Sequence, residues 1–347
     1  MVAAFIAWVL VLAIAAYACA GGTDYGAGFW DLLAGGPDRG RRPRWLIDHA
    51  MAPVWEANNV WLIFVLVVMW TGFPTMFQAV FSAMWLPLAL AAVGLVLRGA
   101  GFALRKPTRR LAQRRVYGAM FGVSSLLTPF FLGAVLGGIA SGRVKVGTTA
   151  SADAWANGTS VLVGLLAIAA TAFLGAVFLC SDALRFGAED LVDYFRRRAM
   201  MAFAAIIVLA LIGLPVTHGD ARYVWDGLTR GLGLLLIILA AVAGLATLVL
   251  LLRRSFGLTR YTSVASVALT VGAWGFAQRP YLLPTSLTVT EAAGAAHTLT
   301  WLVIVTGIAI VLVGPALVLL YRLDTMGELQ ELTDADTQAP RSAGGSR

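Results

Sequence analysis

Charge is scarce in this 347-residue chain: 13% of its residues are Asp, Glu, Lys or Arg, where a soluble domain carries roughly 25%. With 59% hydrophobic residues and a mean hydropathy of +0.82, that shortage excludes a soluble globular fold and points to an all-α, polytopic membrane protein. Cysteine is nearly absent. Cys19 and Cys180 each fall in an apolar run, which leaves no disulfide framework and no metal-ligand spacing, and both read as small buried hydrophobes. Histidine is as rare. His49, His218 and His297 are far apart and none is paired at helical spacing, so the chain is expected to bind no cofactor or metal directly. No Lys or Arg precedes Arg39, so the apolar stretch from Met1 to Gly22 lacks the positive start of a signal peptide and reads as a retained first helix.

What the chain does have is a series of long apolar runs. Cutting at charges and at Pro/Gly turns predicts nine spans, over 2–22, 54–72, 77–97, 117–140, 157–180, 200–217, 231–252, 261–278 and 297–321. The second and third are expected to form a hairpin at Gly72-Phe73-Pro74-Thr75, where Pro74 breaks the helix. A net charge of +8 is compatible with nucleic acid binding, but the basic residues sit between the apolar runs, where they set topology, so no nucleic acid partner is expected. Assigning alternate loops to the cytoplasm places 21 of the 26 Lys and Arg residues there and five opposite. This orients the N-terminus outside and the C-terminus inside. The transmembrane domain is then 1–323. Residues 324–347, acidic at first and ending in Ser, Gly and Arg, are too polar to bury a core and read as a disordered cytoplasmic tail.

No charged residue is expected in the interior of a span, which argues against a coupled pump using charges at mid-membrane. The chemistry concentrates instead at Pro53-Val-Trp-Glu-Ala-Asn-Asn-Val-Trp61, just before a long uncharged run. Glu56 in a first turn complements the helix dipole after Pro53. Equally, Glu56 with Asn58 and Asn59 makes a proton-entry site in a partly desolvated pocket. Asp24 is a second carboxylate, placed after helix one. Arg98 and Arg105 close helix three, where cations suit both the helix dipole and anionic lipid. Gln278 and Arg279 mark an exit loop with an interfacial Tyr281. Among the 37 glycines, pairs such as Gly118/Gly122 and Gly133/Gly137 have the spacing for close helix contact.

These stretches, in their order, resemble subunit II of the cytochrome bd-type quinol oxidases. Asp24-Tyr-Gly-Ala-Gly28 looks like that family's acidic-glycine turn, and Pro53 to Leu62 is similar to its motif Pro-x-Trp-Asp-Gly-Asn-x-Val-Trp-Leu. Phe73-Pro74, Arg98 to Arg105, and Trp274 to Pro284 continue the likeness. Gly21, Ala57 and Ala103 depart from it, two of them where the family has acids. The resemblance implies a bacterial cytoplasmic-membrane subunit paired with a haem-bearing subunit I, in contact with membrane lipids and with room for a small accessory subunit. The complex would oxidise menaquinol or ubiquinol and reduce dioxygen to water, with haem b and haem d in the partner. By motif match Glu56, Asp24 and Asn58 belong to a proton path, Trp55 and Trp61 to an oxygen route, and Arg98, Arg105, Gln278 and Arg279 to structure or interface. A small-solute transporter or a scaffold subunit of another membrane complex is the alternative.

Overall fold

The computed structural model describes residues 1–36, 38–51, 55–105 and 111–326; the side chains of Trp55, Glu56 and Arg105 lie outside that description, as does nearly all of the expected tail. In chain order, α1 (Val2–Leu32) is followed by a short surface helix α2 (Arg41–Met51). Next come α3 (Trp55–Gly72), α4 (Pro74–Ala83), α5 (Trp85–Arg105), α6 (Leu111–Ala140), α7 (Gly158–Arg185) and α8 (Glu189–Asp220). After α9 (Arg222–Leu228), α10 (Gly231–Leu252) and α11 (Thr259–Ala277) the chain forms a small hairpin, β1 (Tyr281–Leu283) with β2 (Leu287–Thr288). It ends in α12 (Val289–Ala292) and α13 (Ala296–Met326).

Among the described residues, seven helices are long and apolar enough to cross a membrane: α1, α5, α6, α7, α8, α10 and α13. The bent pair α3–α4 makes an eighth if it counts as one span. The remaining expected span, 261–278, corresponds to α11, a 19-residue helix interrupted by Ser and Thr that is not among the seven.

Three sequence expectations change. The proline at Pro74 does end α3, because a residue before proline avoids the helical region, and Phe73 sits at φ −136°, ψ 62°. It does not make a simple hairpin: Pro74 starts α4, which turns 117° from α3, and the next span is Trp85–Arg105 rather than 77–97. Second, α1 does not stop at Gly22 but runs on to Leu32, about 46 Å at 1.5 Å per residue. The glycines that looked like a turn are packing surfaces. A Cβ on Gly26 would fall 1.9 Å from the Thr171 carbonyl oxygen and 2.8 Å from Gly175 Cα, so α1 and α7 cross backbone to backbone. Third, and as a result, charged residues do occupy helix interiors: Asp24 in α1 and Arg98 in α5 are both buried. Of the glycine pairs, Gly133 and Gly137 do press α6 onto α7, whereas Gly118 faces open space.

The core divides along α1. Toward its C-terminus, Ala27 and Trp30 pack with Leu46 and Ile47 of α2, Phe121 of α6 and Phe173 of α7. Toward its N-terminus, Ile6 and Leu10 pack with Val68, Phe73, Met84 and the hairpin leucines Leu283 and Leu287. Cys19 and Cys180 are both buried in helices.

Candidate functional site

The first of these core regions holds a polar cluster. On α1, Tyr17 and Tyr25 are eight residues apart, close to two helical turns, and their hydroxyls meet at 2.8 Å. Asp24 is buried beside them and accepts a hydrogen bond from Asn58 Nδ2 of α3 at 2.8 Å. From α5, the Arg98 guanidinium lies over the Tyr25 ring (4.7 Å) and the Phe121 ring (4.6 Å). It donates from Nη1 to Ser125 Oγ at 2.5 Å, and Ser125 in turn donates to the Phe121 carbonyl at 2.7 Å.

Glycine makes the approach possible: a Cβ at Gly28 would lie 2.0 Å from Ser125 Oγ and 3.1 Å from Arg98 Nη1. Asp24 and Arg98 are both buried in this cluster, at the low effective dielectric where opposite charges attract over a longer range and a lone charge is costly. Arg98 Nη2 has no hydrogen-bond partner among the described residues. Two aromatic faces and a hydroxyl hold a cation that would otherwise be expensive at this depth, with the Asp24 carboxylate buried in the same cluster.

The cluster joins three stretches that the sequence presents separately: the acidic-glycine segment (Asp24), the Trp/Asn motif (Asn58) and the arginine segment (Arg98). The reading of Arg98 as a helix-end, lipid-facing cation is therefore corrected. It is buried because α5 continues beyond it to Arg105 and packs on α6. Asp24 likewise lies within a helix rather than after one.

Trp55 and Glu56 open α3 one turn before Asn58, and their side chains, like that of Arg105, lie outside the described residues. Trp61 is half-buried on α3, its ring edge-on to Phe64 at 6.4 Å. Gln278 and Arg279 belong elsewhere, at the junction of α11 and the hairpin. Tyr17, Tyr25, Ser125 and Phe121 were not singled out from the sequence. The signal for the first pair was the eight-residue spacing; for α6 it was Ser124, Ser125 and Thr128 in an otherwise apolar helix.

The three histidines are not brought together. His49 Nδ1 is 2.7 Å from the Trp45 carbonyl, His218 contacts Arg222, and His297 is exposed at the start of α13. They lie on three separate helices. No group of three or more His, Cys, Asp or Glu that could hold a metal ion occurs among the described residues.

Two further ion pairs tie helices at their ends. Arg260 of α11 meets Asp182 of α7 at 2.5 Å, and Arg44 of α2 meets Asp31 of α1 at 3.1 Å. In the loop after α6, Arg143 pairs with Asp220, which also accepts from the Thr159 backbone and hydroxyl. That partnership raises the Arg143 pKa above its ordinary value.

Comparison with known proteins gives a consistent result. The family model described as cytochrome bd terminal oxidase subunit II matches residues 2–324. Subunit 2 of the cytochrome bd-I ubiquinol oxidase of Escherichia coli K12 is 26% identical over 231 residues, 63% of this chain and 59% of that protein. The match thus spans less than two thirds of the E. coli protein's length. Cytochrome bd ubiquinol oxidase subunit 2 of Bacillus subtilis 168 is 24% identical over 271 residues, 77% of each chain. A chain in the structure of the bd oxidase from Geobacillus thermodenitrificans superposes with a TM-score of 0.79 at 25% identity, covering 93% of this chain and 98% of that one.

Proposed function

The chain belongs to the cytochrome bd terminal oxidase subunit II family, and from that premise we propose that it is the second subunit of a bacterial quinol:O2 oxidoreductase. In this reading it pairs with a haem-bearing subunit I in the cytoplasmic membrane, among membrane lipids and with room for a small accessory subunit. The complex oxidises menaquinol or ubiquinol, carries haem b and haem d in the partner, and reduces dioxygen to water. The proposed topology has nine spans with the N-terminus outside and the C-terminus, with its 324–347 tail, in the cytoplasm. This rests on the 21-to-five distribution of basic residues.

The observation that carries the reading is the convergence of three motif segments on one buried cluster, Asp24 with Asn58 and Arg98. A buried carboxylate within a membrane helix, bonded to an amide and close to an arginine in the same cluster, is the kind of group that marks a proton relay. We assign Asp24, Asn58 and Glu56 to a proton route toward the partner, Trp55 and Trp61 to an oxygen route, and Arg98, Arg105, Gln278 and Arg279 to structure and interface. The histidine surroundings support placing the haems in the partner. Nothing in the fold favours a solute transporter or a scaffold role.

The test is a gentle-detergent purification through this chain, followed by a reduced-minus-oxidised visible spectrum and quinol-dependent oxygen uptake. Haem bands that copurify with activity support the proposal. An intact complex without haem, or undiminished bd-type respiration after deletion of the gene, would remove it.

A further inference from the structure

We infer that an anionic phospholipid binds at the end of the bundle opposite the arginine-rich one, its phosphodiester between Arg230 and Arg279 and an acyl chain in a slot between α1 and α11. The charge distribution is the first ground. Only five of the 26 basic residues belong to this end. Two of them, Arg230 and Arg279, line a single open pocket of about 630 Å³, and a third, Arg222, adjoins it on α9. One carboxylate lines that pocket: Asp226, shared between Arg222 at 3.5 Å and Arg230 at 3.8 Å. Arg279 has no carboxylate partner among the described residues. The pocket therefore carries uncompensated positive charge, whereas Arg143 at the same end is already matched by Asp220. An anion supplies what is missing.

Shape is the second ground. Arg279 also lines an adjoining slot whose other walls are almost entirely apolar and whose volume of about 60 Å³ takes only the first few methylenes of an acyl chain. Its guanidinium lies 5.8 Å from the ring centre of Trp8, which lines the slot, and 5.6 Å from that of Phe276, which lines the pocket. The α1 wall runs from Ala4 to Ile14, about 15 Å along the helix axis. Polar mouth and apolar slot thus meet at one cation, the arrangement an amphipathic anion requires. Free phosphate would leave the slot unfilled, and an uncharged chain would leave the arginines unmatched.

Gln278 gives a third, independent indication. It is 5% exposed, lines the slot beside Arg279, and its Oε1 accepts no hydrogen bond from the described residues. A buried amide oxygen left without a donor is unfavourable, and the glycerol hydroxyls of a phosphatidylglycerol-type headgroup are suitable donors. The site lies wholly within this chain, so the inference stands whichever complex the chain joins.

The test uses the purified full-length protein, in its native complex where one forms. It is delipidated and reconstituted in nanodiscs of phosphatidylglycerol or of phosphatidylcholine with the same acyl chains. Native mass spectrometry then counts the lipid retained on return to detergent. One phosphatidylglycerol per chain is expected, held about tenfold more tightly than phosphatidylcholine, as befits a charge-assisted contact. R279Q should lower that retention about tenfold. R230Q, at a side chain 77% exposed and so harmless to folding, should lower it in the same direction. Equal retention of the two lipids, indifference to both substitutions, no retained lipid, or a quinone held in place of a phospholipid would overturn the inference. Because the readout is bound lipid rather than turnover, failure here is distinct from failure of the oxidase reading.

Discussion

The central helix α7 and the last helix α13 are both long, apolar candidate spans, yet they are held in different ways. In α7, 56% of the most apolar stretch is buried within the chain; in α13 the figure is 11%. Around α7, glycines bring backbones into contact, and Trp30 donates to the Ala172 carbonyl at 2.8 Å. Along α13, Ile310, Val311, Leu312 and Val318 are exposed, as a surface covered by lipid or by another subunit would be. The difference teaches where charge can be kept. Asp24 and Arg98 are buried where neighbouring helices supply aromatic faces, hydroxyls and amides; α10 and residues 298–321 of α13, by contrast, hold no charged residue.

The sharpest way to break this comparison is to place a side chain where two backbones touch. Gly26→Leu should cost about 4 kcal/mol or more, in practice preventing a folded protein, because the atoms it meets are backbone and cannot move aside. Gly307→Leu on α13, where a Cβ meets nothing within 4 Å, should stay within about 0.5 kcal/mol. Thermal unfolding in detergent distinguishes the two; equal tolerance would contradict the packing difference.

Next in size is the buried pair. Arg98→Leu leaves Asp24 facing apolar surface and should cost about 3–5 kcal/mol, while the double substitution Asp24→Leu/Arg98→Leu should recover most of that loss. A double variant no more stable than Arg98→Leu would show that the two charges are not coupled.

Much of the architecture was legible because long apolar runs and basic loops report directly on spanning helices. The range 231–252 coincides with α10 to the residue. The errors at the site share one cause. Gly26 and Gly28 were read as part of a turn after helix one, but in α1 their lack of a side chain serves contact with α7 and α6. That misreading also hid the site, as it placed Asp24 outside the helix and left Arg98 a lipid-facing role. The surface helix α2 was missed because its arginines looked like a topology loop. The short strands and α12 carry too few residues to give a period.

Smaller effects test the periphery. The pair Arg42–Asp190 has side chains 61% and 54% exposed at 2.7 Å, so Asp190→Ala should change stability by less than about 1 kcal/mol, and any effect should fade in high salt. A loss as large as that of Arg98→Leu would mean the surface pairs matter as much as the buried ones.

Smallest is the capping box before α12. The Thr288 backbone N–H, then its hydroxyl, hold the exposed Glu291 carboxyl below its ordinary pKa of 4.5. A carboxyl depressed on folding contributes stability above its unfolded pKa and loses it as pH falls through the folded value. Amide protection over residues 281–292, taken relative to the intrinsic exchange rate at each pH, should therefore fall below about pH 4.5, and Glu291→Gln should flatten that dependence. An unchanged pH profile in the variant would remove the assignment.

We propose that the Asp24–Asn58 pair lies on the proton route of a quinol oxidase. The most direct test is quinol-dependent oxygen consumption per haem in the purified Asp24→Asn complex, where normalising to haem removes any loss of assembly. The account predicts an unchanged haem spectrum and turnover lowered by at least about tenfold, as for loss of a proton-transfer group. Wild-type turnover per haem in that variant would contradict it, leaving the cluster a device for holding the helices together.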